Sequence, residues 1–132
     1  FERGVDERSF GNIRHEGDRA LFGGHGTNAM KQRLGVPENR PLADFLPTLT
    51  IKAKDFAAEL TSHNVQEKDL KGDRAITREH IDNNWEVRSM LIKRGVKPEE
   101  LPAAEDVEKV RRRLASEQKQ VLKGTKKLKP KK

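Results

Sequence analysis

Apolar residues recur along this chain at helical intervals, and strand-like alternation is confined to the short "TLTI" of Thr48 to Ile51. In "SFGNIRHEG", Phe10 and Ile13 lie three apart, with Ser9 placed to cap a short helix and Gly17 placed to end it. Phe22 and the glycines after it break the chain. Thr27 is placed to cap "NAMKQRLG", where Met30 and Leu34 share a face and Gly35, followed by Val36 and Pro37, marks the stop. Pro41 suits a first helical turn and Pro47 forbids continuation, so Leu42, Phe45 and Leu46 form one apolar turn expected to plug the core.

The longer helices follow. From Thr48 or Thr50, the residues Leu49, Ala53, Phe56, Ala57 and Leu60 fit one face of a helix reaching about His63. After the polar connection "QEKDLKGDR", Thr77 is expected to cap a helix that Gly95 ends. Within it Ile81, Trp85, Val87, Met90, Leu91 and Ile92 cover more than one stripe, a breadth that marks the most central helix. Pro98 opens a short turn and Pro102 the last helix. There Ala103, Val107, Val110, Leu114 and Val121 form a narrow seam of the kind that pairs helices, and Glu105, Asp106 and Glu108 precede Arg111 to Arg113 in the order the helix dipole favours. The expected fold class is all-α: a compact to elongated multi-helix domain with short connecting turns over residues 1–122, then a disordered basic tail over residues 123–132.

Composition sharpens this picture. Hydrophobic residues are 33% of the 132 and charged residues 37%, so the core is expected to be thin and to borrow burial from a partner or a further segment. The chain opens on Phe1 rather than Met, which suggests a piece of a longer protein. The formal charge of +7 resides at one end: from Lys119 onward there are seven lysines and no acid, and the preceding 118 residues balance. Seven lysines engaging a single-stranded phosphate backbone would give a salt slope of about −5 at roughly 0.7 per contact. Lys119, Lys123, Lys126, Lys127 and Lys129, with Arg111, Arg112 and Arg113, are therefore the candidate nucleic-acid-binding residues. No aromatic residue interleaves these lysines, so contact there should be indifferent to sequence. With no cysteine, no signal segment and no apolar run of spanning length, a cytoplasmic protein without membrane contact is expected.

Candidate chemistry is sparse. Gly24 to Ala29 satisfies G-x-G-x-x-A, but that fingerprint holds a pyrophosphate only where a buried strand runs into a helix, and "GDRALF" is too short and too charged to be one. The stretch is read as a turn. His15, His25, His63 and His80 include no pair at helical zinc spacing and are read as surface or capping residues; Asp82, Asn83 and Asn84 are read as facing water. Serines 9, 62, 89 and 116 lie in no nucleophile elbow. No catalytic residue, cofactor or metal is assigned, and a non-enzymatic protein is expected.

The stretches "RPLADFLPTLTIKAKDFAAELTSHNV" and "ITREHIDNNWEVRSMLIKRGVKPEELPAAEDVEKVRRRL", with "GDRALFGG" before them, resemble the C-terminal half of the DNA-damage-inducible protein D (DinD) family, from about Phe10 to Leu122. Members of that family join a Bro-N-type region in front to this helical portion, and the front region is absent here. The resemblance implies a role in the bacterial response to DNA damage (SOS), restraining RecA-type recombinase filaments on single-stranded DNA, and it carries over no catalytic residues. The expectation is thus a protein-interaction module whose partner surface lies around Trp85 or the Val107, Val110, Leu114 and Val121 seam. The alternatives are a sequence-nonspecific nucleic-acid binder acting through the lysine-rich end, or a homodimerisation unit for the missing front half.

Overall fold

The computed structural model describes residues 4–128, with side chains through residue 124. Five α-helices and two short 3-10 turns make up the described chain, which contains no strand: α1 (Glu7–Leu21), α2 (Thr27–Leu34), a turn at Leu42–Phe45, α3 (Thr48–Glu67), α4 (Asp73–Lys93), a turn at Pro98–Glu100, and α5 (Val107–Leu128). The protein is all-α.

The stop signals act where the sequence puts them. Gly35 ends α2 in the left-handed conformation (φ 70°), and the Val36 N–H reaches back to the Lys31 carbonyl at 2.8 Å. The prolines at 41 and 47 isolate the predicted apolar turn, and Leu42 and Leu46 from it are buried with Phe22, Met30 and Val36. Several start signals differ from expectation. Asp6, not Ser9, caps α1 by accepting from the Ser9 N–H at 2.8 Å, and α1 runs through Gly17 to Leu21. Gly26 occupies the cap position before Thr27. α4 begins at Asp73, a full turn before Thr77, because Gly72 (φ 85°) already reverses the chain there. α3 continues past His63 to Glu67, and α5 begins at Val107, not Pro102. α5 also continues to Leu128, so its backbone enters the segment assigned to a disordered tail; residues 129–132 lie outside the described residues.

α4 is the central helix, as its pattern implied. α1 runs beside it in the same direction: Ser9 Oγ donates to Asp73 at one end, and Arg88 donates to the Leu21 carbonyl at the other. α3 lies antiparallel on another side of α4, matched by Asn64 to Glu79 and Thr61 to His80. The residues α4 buries are nevertheless Ile76, Glu79, His80, Asn83, Asn84, Val87 and Leu91, while Trp85, Met90 and Ile92 are exposed. α3 likewise buries Thr50, Ala53, Ala57, Thr61 and Val65 and leaves Phe56 58% exposed, so Leu49 and Phe56 do not belong to the core face. Small residues on α3 let the two helix backbones approach closely, which a face built on Leu49 and Phe56 would prevent.

Candidate functional site

Two features stand out from the packed body: α5, and a polar layer buried between α1, α3 and α4.

The start of α5 is held firmly. Arg40 donates to both carboxylate oxygens of Asp106 at 2.7 Å, bonds Asp44 at 2.9 Å, and lies over the Phe45 ring. Asp106 accepts the Glu108 N–H at 2.9 Å, and Ala104 N–H donates to the Phe45 carbonyl at 2.8 Å. The bonds from Arg40, above all, and from the Glu108 N–H hold the Asp106 carboxyl down to about 2. Beyond this anchor, every residue from Arg111 to Lys123 is exposed.

The projecting helix has two faces. Lys109, Arg112, Ser116, Lys119 and Lys123 recur at spacings of three and four and therefore line one side. Val107, Leu114 and Val121 recur every seven, with Val110 beside them, and line the other. At about 100° per residue, Leu114 and Lys123 point in opposite directions. Of the three arginines, only Arg112 belongs to the basic face; Arg111 pairs with Glu108 at 3.2 Å and Arg113 with Glu105 at 2.6 Å along the flanks. The side chains of Lys126, Lys127 and Lys129 lie outside those described. Trp85, on α4, is 47% exposed and lines a shallow cleft with Glu16, Arg19, Gly24 and Ile81, its ring 6.0 Å from the Arg88 guanidinium carbon. The seam starts instead on the Leu42–Phe45 turn, so the two surfaces expected to receive a partner are built by different elements.

The polar layer was not anticipated. His80 and Asn84 are buried, 8% and 2% exposed, which corrects their assignment to the surface, as does the burial of Asn83; of that trio only Asp82 faces water. Thr61 spends its single hydroxyl proton on the Ala57 carbonyl at 2.9 Å, so its oxygen accepts from His80 Nδ1 at 2.8 Å and from Asn83 at 3.1 Å. The imidazole therefore carries its proton on Nδ1 and accepts from the Asn84 amide at Nε2 (3.4 Å), and burial, which favours the neutral ring, lowers its pKa. Glu79 beside it is pushed up by burial, but bonds from Lys68, Asn64 and Asn83 outweigh this and hold it below the ordinary carboxylate value. The layer separates two apolar clusters, one built on Leu21, Ala57, Val87 and Leu91 and the other on Ile13, Val65 and Ile76. The spacing of Thr61, His80, Asn83 and Asn84 along their helices was the available signal, since they continue the i, i+3, i+4 face of Ala57, Ile76 and Val87.

A cavity of about 270 Å³ opens beside this layer, with His80 and Asn84 on its inner wall and Arg14, Lys54, Asp18 and Asp55 around it. Lys54 spans it to Asp18 at 3.4 Å, and its two cations balance its two carboxylates, so the cavity favours neither sign of ligand. The glycine loop is a turn: Gly23 and Gly24 take positive φ (68° and 102°), and the chain before them is helix α1 rather than a strand. Among the described residues no three His, Asp or Glu side chains gather as metal ligands, and no helix is long and apolar enough to cross a membrane.

Neither a curated protein nor a solved structure matches the chain. The family model described as the DinD C-terminal domain matches residues 2–110, which takes in the whole packed body and ends at the first turn of α5. With more than half of its length so matched, the chain belongs to the DinD C-terminal domain family, a family related to DNA damage.

Proposed function

We propose that this chain is a non-catalytic interaction module of the DNA-damage response that docks on a RecA-type recombinase filament and steadies itself on the single-stranded DNA within it. The observation that carries this reading is α5, which projects from an anchored base with Lys109, Arg112, Lys119 and Lys123 on one face and no acid among them. A linear array of four cations along a helix neutralises phosphates without reading bases and calls for a salt slope of about −3 at roughly 0.7 per contact. The protein-facing contact falls to the cleft at Trp85, where a large half-exposed aromatic beside Arg19 and Arg88 has the composition of a binding hot spot.

The test is capture by recombinase filaments assembled on single-stranded DNA, against bare DNA of the same length. Trp85→Ala should weaken filament capture and leave bare-DNA binding unchanged. Arg112→Glu, Lys119→Glu and Lys123→Glu combined should weaken both and flatten the salt slope. Equal capture of filament and bare DNA by the parent chain, unaffected by Trp85→Ala, would favour the nucleic-acid binder alone; capture of neither would end the proposal.

A further inference from the structure

The apolar seam of α5 lies opposite its basic face and is not used by the reading above. Leu114 is 55% and Val121 67% exposed, and Leu122 beside them is exposed too. Past its first turn, where Val107 and Val110 are half-buried, the helix keeps its seam exposed and gains little there from tertiary packing, the usual source of helical stability. The anchor at Arg40, Asp106 and Phe45 aims the helix outward, so from Leu114 onward the seam is presented to something other than the body.

We propose that the seam is covered by α5 of a second copy of this chain, paired antiparallel. Width and charge select that occupant. Val107, Leu114 and Val121 repeat every seven residues with Val110 between, a stripe fit for one facing helix; a lipid surface calls for a broader apolar face with aromatic residues, which α5 lacks. From Val107 to Leu128 the helix has 22 residues, about 33 Å at 1.5 Å per residue, enough for three heptads of contact. Glu117 sits on the seam edge, one heptad after Val110. Parallel pairing would set Glu117 against its own copy and would align the Arg111 to Arg113 run with itself. Antiparallel pairing sets Glu117 near the arginine run of the other copy and opposes the two helix dipoles. Both basic faces then point outward, on opposite sides of the pair.

The measurement is the solution mass of the full 132-residue chain by sedimentation equilibrium from low to high micromolar concentration. The expected limit is twice the 15.0 kDa of the chain. Leu114→Asp and Val121→Asp, both on exposed positions, should return it to the monomer with unchanged body stability, whereas Glu117→Leu, which completes the seam, should tighten association at least tenfold. Orientation is read from Arg113→Cys and Gln120→Cys, made singly because the chain has no native cysteine, mixed, and joined by a short bis-maleimide. Antiparallel pairing yields mainly the mixed 113–120 product. A monomer at all concentrations that Glu117→Leu does not change, a dimer indifferent to Leu114→Asp, or mainly 113–113 and 120–120 products would each overturn the proposal. Monomeric binding to anionic vesicles that Leu114→Asp abolishes would assign the seam to membrane instead.

Discussion

The ring of His80 occupies the space that a side chain at Gly17 would need. A Cβ at Gly17 would fall on the imidazole and within 2.9 Å of the Asn84 amide nitrogen, so α1 and α4 meet with glycine on one helix and a hydrogen-bonded histidine on the other. The sequence presents this glycine as a helix stop; in the fold it is a mid-helix contact, and its cost in helix propensity is offset by the packing it permits.

Gly17→Ala should therefore destabilise the protein although alanine is the better helix former. The expected cost is about 1–3 kcal/mol, the range for overpacking a close contact. Urea denaturation with an unchanged m-value is the check; a stabilised variant would mean that the ring gives way freely.

The neutral, buried His80 makes stability depend on pH. Its folded pKa lies below the unfolded value of 6.5, so the unfolded chain binds the proton first. The contribution is intact above about pH 6.5 and is lost progressively as the pH falls toward the folded value. Denaturation midpoints between pH 8 and pH 5 should fall for the parent chain, and His80→Gln should remove the part of that slope due to this ring. An identical slope in the variant would place the titrating group elsewhere.

Asp106 works in a lower window. Its carboxyl, held to about 2 against an ordinary 3.8, contributes to anchoring above 3.8 and loses that contribution as the pH falls through 2. The Ala104 amide, bonded to the Phe45 carbonyl beside this pair, should keep its native NMR shift to below pH 3.8 and drift toward the random-coil value near pH 2. Asp106→Asn should produce the drifted shift at neutral pH while the signals of α1 and α4 stay in place.

On α3, neighbouring positions should behave in inverse order to their size. Phe56→Ala removes a large but exposed ring and should cost under about 1 kcal/mol. Ala57→Leu adds volume to a fully buried position between Leu21 and Val87 and should cost about 1–3 kcal/mol. Thermal or urea unfolding of the two variants side by side decides the matter; a larger loss from Phe56→Ala would restore the face that hydrophobicity alone suggests.

What the sequence determined by itself was punctuation, composition and lineage. Glycine at 35 and prolines at 41, 47 and 98 act through backbone geometry, which is local, and so they bound the same elements in the fold. The all-α class follows from the same rules, and the long stretches from Phe10 onward carry the family. The seven-residue repeat of Val107, Leu114 and Val121 was equally legible, because a periodic seam is written in one helix. The tertiary structure alone decided which apolar positions of each long helix are buried and which polar ones join them. Of the apolar positions read on α3 and α4, Ala53, Ala57, Val87 and Leu91 are buried but Leu49, Phe56, Trp85 and Met90 are exposed, while the polar Thr61, His80 and Asn84 take the interior. The reason is pairwise: a threonine oxygen, an imidazole and a carboxamide can be buried once each finds its partner on another helix, and a small residue on one helix matters only where another backbone approaches it. Neither condition is visible along a single segment, and both exist only after α1, α3 and α4 have met.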